Sequence, residues 1–325
     1  MPRAVVCREL GPPEKLRLEQ LASAPLGAAQ VRVAIHAAGV NFPDILMAAG
    51  EYQLKPELPF TPGMEAAGEV IEVDGAAQNI AVGAKVILKL RYGGYADEAV
   101  VAPSQLTPLP STFDYAEGAT FLAAHGTAHH ALVDRARIAP GEVLLVHGAG
   151  GGVGLAAVET GKLLGAIVIA AASSEEKLEV AQARGADHLV LYAREPFRDA
   201  VKRITGGRGA DVVYDPVGGE VFEQSLRCIA WGARVLVIGF TGGIGTARGN
   251  LLLIKGASVL GVRAGEAARR DPALGVARIA ALTEWAEARK LKPHISHRLP
   301  LEDVAKAMRL LIERKAIGRV ALVTR

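Results

Sequence analysis

Five glycines fall within seven residues, at 148, 150, 151, 152 and 154, and no other stretch of the chain implies chemistry so directly. The apolar run Val143-Leu-Leu-Val146 ahead of them reads as a buried parallel strand, and Leu155–Leu164 behind them as a helix with a small-residue face. Strand, glycine turn and helix bring a helix N-terminus and free backbone N–H groups to one point, where a pyrophosphate can sit. The spacing departs from G-x-G-x-x-G: aligned on the last glycine, Ala149, Gly151 and Gly154 take the three places. Gly151 lets the backbone approach a phosphate, and Gly154 lets the helix pack close to the strand. Ala149, Gly151, Gly152, Val153 and Gly154 are therefore the expected contacts. The same glycines would also suit a tight turn that binds nothing; the unit that follows favours a dinucleotide.

That unit is Ala166–Ser174, a second strand ending in hydroxyls. The residue that reads the adenine ribose stands roughly 20 positions past the glycines, where an acid would hold the 2′-OH of NAD and repel a 2′-phosphate. Ser173 and Ser174 occupy that place without charge, and Lys177 follows. Hydroxyls beside a cation favour a phosphate, hence NADPH. Ser174 is also the expected cap of a helix over 175–184, a role compatible with the first.

The positioning elements divide the chain in two. At 325 residues two domains are expected. Residues 1–122 read as β-rich and irregular, with strands at Val31–His36, Gly68–Val73, Lys85–Leu88 and Tyr95–Val101, and prolines at 56, 59, 62, 103, 108 and 110. A partly open barrel fits this pattern. From 123 to 262 strands (143–147, 166–171, 188–192, 211–214, 234–239, 257–262) alternate with helices (153–164, 175–184, 195–204, 219–229), which gives an α/β doubly wound parallel sheet. Residues 263–325 hold helical patterns at Pro272–Arg289 and Leu301–Lys315 and a last strand at Gly318–Val323 that is expected to return to the first domain. Ligands then bind in an interdomain cleft beside the carboxyl ends of the parallel strands.

Composition removes other classes. Half of the residues are hydrophobic and the net charge is +3 with acids and bases interspersed, which argues against nucleic-acid or membrane-surface partners. Cys7 and Cys228 make neither a metal pair nor a disulfide framework, so a reducing cytoplasm is the default. No window approaches the roughly 20 uncharged apolar residues of a membrane span, and the N-terminus lacks a signal-peptide core.

Taken together, Ala38-Gly-Val-Asn-Phe-Pro-Asp44, Gly50-Glu-Tyr52, Pro62-Gly-Met-Glu-Ala-Ala-Gly68, Gly126-Thr-Ala128, Gly141–Gly154, Asp215-Pro-Val-Gly-Gly219 and Ile238-Gly-Phe240 resemble the quinone oxidoreductase, or zeta-crystallin-like, branch of the medium-chain dehydrogenase/reductase superfamily. The resemblance runs end to end and implies a GroES-like catalytic domain joined to a Rossmann cofactor domain. Two departures stand out. Glu159 replaces the branch's usual glutamine, and alanine at 48 or 49 replaces an expected arginine. Zinc-dependent alcohol dehydrogenases share this fold but carry a cysteine where Asn41 stands, a histidine where Met64 stands, and a four-cysteine lobe near 90–110. Asparagine and a thioether are poor Zn²⁺ ligands, so no metal is expected.

The resemblance also assigns roles. Asn41 would orient the nicotinamide amide or a substrate carbonyl, or serve only as a turn residue before Pro43. Tyr52 would donate a hydrogen bond or a proton, or merely wall the cleft. Thr127 would meet the nicotinamide end, Tyr192 cover the adenosine phosphate, and Phe240 and Thr241 line the nicotinamide side. His147, at the end of the first parallel strand, is placed either at the site or in the packing, and Asp44 is read as structural. The expected activity is zinc-independent, NADPH-dependent reduction of quinones or related α,β-unsaturated carbonyls. Alternatives are an enoyl-thioester or 2-alkenal reductase and a non-catalytic NADPH-binding protein. The apolar strand Ala257–Val262 at a sheet edge implies a homodimer.

Overall fold

A computed structural model describes residues 1–75, 77 and 80–324 as two compact units, residues 1–122 with 292–325 and residues 123–291. The first unit opens with a hairpin, β1 (Arg3–Val6) and β2 (Arg17–Gln20). There follow β3 (Val31–Val40), helix α1 (Phe42–Ala49), β4 (Glu65–Val73), β5 (Lys85–Lys89), β6 (Glu98–Val101), β7 (Leu106–Pro108) and the single turn α2 (Tyr115–Gly118).

Helix α3 (Leu122–His129) starts on the last residue of the first unit, leads into the second and runs on as a π-helical stretch, His130–Ala136. It then alternates: β8 (Val143–Val146), α4 (Gly152–Leu163), β9 (Ile167–Ala172), α5 (Glu175–Ala183), β10 (His188–Leu191), α6 (Phe197–Ile204), β11 (Ala210–Asp215), α7 (Gly219–Ser225), β12 (Ile229–Val237), α8 (Gly249–Lys255) and β13 (Ser258–Gly261). It ends with α9 (Ala264–Arg270) and α10 (Pro272–Glu287). The chain then returns to the first unit with β14 (Ile295–Pro300), α11 (Val304–Ile312) and β15 (Arg319–Val323).

In the first unit the strands form one sheet in the order β14-β15-β3-β4-β5-β7, with β6 also paired to β3. This is the GroES-like domain, open rather than a closed barrel. Register shifts between β3 and β4, at Arg32/Val33 and Ile35/Ala37, mark irregularities of the kind that bend a sheet. Its core is Val33, Ile35, Val70, Leu88, Val320 and Leu322, all fully buried. The closing strand β15 pairs antiparallel with β3, Val320 opposite Val40.

In the second unit the order is β10-β9-β8-β11-β12-β13, every pair parallel, which is the doubly wound Rossmann arrangement. Its first strand explains the continuous apolar run of the sequence. Leu144 and Val146 face one core, Val143 and Leu145 the other, and a strand covered on both faces has no polar side to show. The order reverses between β8 and β11, so the crevice at that switch point lies where the glycine turn leaves β8.

Residues 263–291, expected in the first domain, group with the second unit. The reason is a buried side chain. Arg278 on α10 donates to Asp134 Oδ2 (3.1 Å) and to the Ala264 carbonyl (3.1 Å), and Trp285 lies against His129 with ring centroids 5.5 Å apart. The helical period of 272–289 is visible in the sequence; the face it packs against is not.

Candidate active site

The expected cofactor contacts surround the turn between β8 and α4. Gly148 has φ +56, and its carbonyl accepts the Gly151 N–H (2.9 Å). Gly151 sits at the N-cap of α4 with no side-chain cap, so the first N–H groups of the helix, at Gly152, Val153 and Gly154, have no side-chain acceptor. A Cβ on Gly154 would lie 2.3 Å from the Gly148 oxygen, which only glycine avoids. The uncapped helix start is a cradle for an anion, and the residues fit a dinucleotide pyrophosphate.

The region expected to read the ribose gathers at the same turn. The aliphatic stem of Lys177 lies across Gly150, where an added Cβ would fall 2.5 Å from Lys177 Cβ and Cγ. The ammonium reaches Ser173 Oγ at 3.4 Å. Ser173 is exposed, and no acid stands at the end of β9. Ser174 occupies the N-cap of α5 with extended backbone, yet its side chain makes no capping bond, contrary to expectation. Its hydroxyl is not needed by the helix.

Tyr192, expected over the adenosine phosphate, stands directly after β10. Its hydroxyl turns inward, within 3.0 Å of His147 Nδ1, and accepts the Gly148 N–H at 3.3 Å. His147 is fully buried packing, as one of its two readings had it, and burial lowers its pKa to about 3. Thr127 donates to the Ala123 carbonyl one turn back (2.7 Å). Beyond β12, Phe240 is 55 % exposed and Thr241 donates to the Pro216 carbonyl (3.2 Å). A groove of about 690 Å³ elsewhere in this unit, bounded by Arg135, Arg263, Glu266 and Asp271, contains none of these residues.

The first unit holds Asn41 and Tyr52. Asn41 caps α1, and the chain leaves that helix through Gly50 in the left-handed region (φ 77) to reach Tyr52. The Tyr52 ring is half-buried against the core of the unit, and its hydroxyl has no hydrogen-bond partner among the described residues. Asn41 is engaged on every side. Its Oδ1 accepts from Arg319 (2.9 Å), and its Nδ2 donates to Glu65 (3.2 Å) and to the Gly39 carbonyl (3.3 Å). Arg319 also pairs with Glu65, and Asp44 accepts from the Asn41 N–H (2.9 Å) and the Tyr95 hydroxyl (2.8 Å). All five side chains are buried. The expectation that the Asn41 amide is free to meet a nicotinamide therefore has to be revised: its N–H groups are used inside the unit.

Comparison with known proteins follows the same division. Residues 27–111 match the family model for the alcohol dehydrogenase GroES-like domain, and residues 152–280 the model described as zinc-binding dehydrogenase. A quinone oxidoreductase-like protein 2 homolog of Nematostella vectensis is 39 % identical over 99 % of this chain and 89 % of its own length. The chain belongs to the quinone oxidoreductase family of medium-chain dehydrogenases/reductases. The quinone oxidoreductase of Homo sapiens is 32 % identical over 99 % of this chain and 97 % of its own. Among solved structures, Escherichia coli quinone oxidoreductase complexed with NADPH superposes with a TM-score of 0.91 at 27 % identity, covering 100 % of both chains.

Within this quinone oxidoreductase-family chain, Glu159 has local partners for its carboxylate. It bonds His125 Nε2 (2.9 Å) and Arg184 (2.6 Å), so the departure from glutamine is matched by a cation. The residues missed in the sequence are Glu65, Tyr95 and Arg319. Glu65 carried a signal, a lone acid heading the small apolar run Ala66-Ala-Gly68, which demands a buried cation. Nothing local pointed to Arg319, 254 residues away.

Asp44 yields a pH test. Burial raises its pKa from 3.8 to about 7, against the opposing pull of the Tyr95 and Asn41 donors. A folded state that holds this proton longer than the unfolded chain is stabilised by it fully below about pH 4, and that contribution is lost as pH rises through about 7. Asp44→Asn keeps both acceptor bonds and cannot titrate. The variant is expected to show a flatter fall in urea midpoint between about pH 5 and 7.5; a slope equal to that of the unsubstituted protein would count against it.

Proposed function

We propose that this chain is a zinc-independent, NADPH-dependent reductase of quinones or related α,β-unsaturated carbonyls. The observation that carries the reading is the placement of Lys177 across the uncapped glycine turn, beside Ser173 and with no acid at the end of β9. The end-to-end similarity to quinone oxidoreductases supports the acceptor class. Gly151, Gly152, Val153 and Gly154 would hold the pyrophosphate, Lys177 and Ser173 the 2′-phosphate, and Thr127, Phe240 and Thr241 the nicotinamide end. When bound, the cofactor supplies a hydride. Tyr52, whose hydroxyl has no partner among the described residues, donates a hydrogen bond to the acceptor's carbonyl oxygen as negative charge develops there. Asn41 supports the start of α1 through Arg319 and Glu65.

The donor set supports a metal-free mechanism. Asn41 and Met64 supply an amide and a thioether, and among the described residues no three His, Cys, Asp or Glu side chains converge as metal ligands. The reading is tested by following NADPH absorbance with a panel of quinones, enals and enoyl thioesters, alongside elemental analysis for zinc. Quinone turnover with little zinc and no chelator effect is expected. Turnover confined to enoyl substrates would move the assignment to the alternative reductases, and no turnover at all would leave a binding protein.

Cofactor choice gives a sharper number. NADPH should exceed NADH in kcat/KM by at least about tenfold, roughly 1.4 kcal/mol of transition-state binding. Lys177→Ala should reduce that preference several-fold by harming NADPH use alone. Equal efficiencies in the unsubstituted enzyme would refute it.

We also propose a homodimer joined through β13, whose outer edge has no strand partner among the described residues. Leu253 and Ile254 on the preceding helix are 81 % and 63 % exposed and add apolar surface on α8. Sedimentation at micromolar concentration is expected to give a dimer; a monomer alone would refute the pairing.

A further inference from the structure

The groove of about 690 Å³ between the π-helical stretch and α9–α10 lies wholly in the second unit, and the proposed reaction gives it no part. That volume suits a small molecule. Its charges are unevenly spent. Every carboxylate on its wall has a partner of its own. Asp134 accepts from His130 Nδ1 (2.7 Å) and from Arg278 (3.1 Å), and Glu266 accepts from Arg269 (2.6 Å) and Arg270 (3.0 Å). Asp271 caps α10 by accepting the Leu274 N–H (3.2 Å). The arginines on the wall are in the opposite condition. Arg135, Arg137 and Arg263 are exposed, and none has a carboxylate within ion-pair distance among the described residues. Arg135 spends only its Nε, on the Gly261 carbonyl (3.2 Å). Its Nη groups and the other two guanidiniums remain for a guest. One sign of charge around a concavity with apolar walls, here Val133, Ala267 and Leu274, concentrates the potential inside it.

The same groove holds a polar atom whose chemistry its neighbours fix. His130 is buried, and its Nδ1 lies 2.7 Å from Asp134 Oδ2 and 3.1 Å from an Arg278 nitrogen. The carboxylate brings only acceptors and the guanidinium only donors, and the carboxylate is nearer, so Nδ1 carries the proton and donates to Asp134. Burial lowers the His130 pKa and the Arg278 charge adds to this, against the pull of Asp134, which keeps the ring neutral at pH 7. Nε2 is then a lone pair. It has no partner among the described residues and is not enclosed by protein, and His130 lines the groove. Guanidiniums alone would take any anion; a lone pair beside them asks for a hydrogen-bond donor on the same guest.

We propose that this groove binds a small anion of at least two negative charges that also carries a hydroxyl. Its carboxylate or phosphate oxygens pair with Arg135, Arg137 and Arg263, and its hydroxyl donates to His130 Nε2. The site shares no residue with the glycine turn and does not depend on which dinucleotide binds there.

Titration calorimetry on the full chain tests this with three probes. Citrate has three carboxylates and a hydroxyl, tricarballylate the same carboxylates without the hydroxyl, and glycerol 3-phosphate a phosphate with hydroxyls. Citrate should bind about fivefold or more tightly than tricarballylate, with the same constant in the presence and absence of NADPH. Arg137→Ala combined with Arg263→Ala should weaken citrate by at least about tenfold; both side chains are exposed, and the thermal midpoint checks the fold. His130→Asn keeps a donor for Asp134 but lacks Nε2, and should make citrate and tricarballylate equal. Tighter binding of glycerol 3-phosphate than of citrate, lost in the same double variant, would name phosphate as the anion; the reverse order would name carboxylate. No binding of any probe at about 10 mM, where a millimolar site is filled, would overturn the proposal. Citrate binding untouched by the double variant would also overturn it, and a citrate constant that rises with NADPH would move the anion to the glycine turn. Citrate and tricarballylate bound equally by the unsubstituted protein would refute the part given to His130.

Discussion

Tyr52→Phe is expected to lower kcat by about 10²–10³-fold while leaving NADPH affinity unchanged. The ring is anchored against the core of the first unit, so phenylalanine fills the same space and the fold has no reason to respond. Only the hydroxyl is lost, and that hydroxyl makes no bond within the described protein. A tyrosine held by its ring with its donor unused is arranged for a partner that arrives from outside. The effect falls on kcat because the bond strengthens as charge develops on the acceptor oxygen, after the ground state has formed. The loss should be larger for an enal or enoyl thioester, which needs a proton delivered to carbon, than for a quinone, whose reduced oxygens take protons from water. Steady-state kinetics on both acceptor classes check this. Unaltered kinetics on both would reduce Tyr52 to a wall of the site.

The sequence was most informative where chemistry and local structure coincide. The turn from Val146 to Gly154 is contiguous, its glycines answer to backbone approach, and the strand before it is apolar because both faces are covered. Ser173 and Lys177 follow at a spacing imposed by one helix and one strand, so the meeting of Lys177 with Ser173 was within reach of counting. Long-range side-chain pairing was not. The hydroxyl of Tyr192 could be placed at the cofactor edge from its position after β10, but whether it faced outward or inward depended on His147 and Ser225, which lie 45 and 33 residues away. The helices after Val262 were visible by their period, yet their attachment to the second unit runs through long-range pairs such as Arg278 with Asp134 and Trp285 with His129. Asn41 illustrates the limit best. Its type and neighbourhood suggested an amide aimed at a ligand, and the arginine that occupies its oxygen arrives from the last strand of the chain.

That arginine is the basis of the second large effect. Arg319→Met is expected to destabilise the first unit by about 3–5 kcal/mol. The Arg319 and Glu65 side chains are only 7 % and 3 % exposed, so water cannot replace a missing partner. Methionine preserves length and apolar packing but takes the Arg319 cation away from the buried Glu65 carboxylate, and it releases the Asn41 oxygen as well. The cost comes from an uncompensated charge, not from loss of a net-favourable bond. The distinction predicts the double variant: Glu65→Leu together with Arg319→Met removes both charges and should recover more than half of the loss, giving a coupling energy far outside additivity. Hydrogen exchange at the β3 and β15 amides, which pair from Val320–Val40 to Val323–Ala37, reports on this unit separately from the other. Protection in Arg319→Met equal to that of the unsubstituted protein would refute the argument. A double variant no better than the single would assign the loss to packing around Asn41, with charge playing no part.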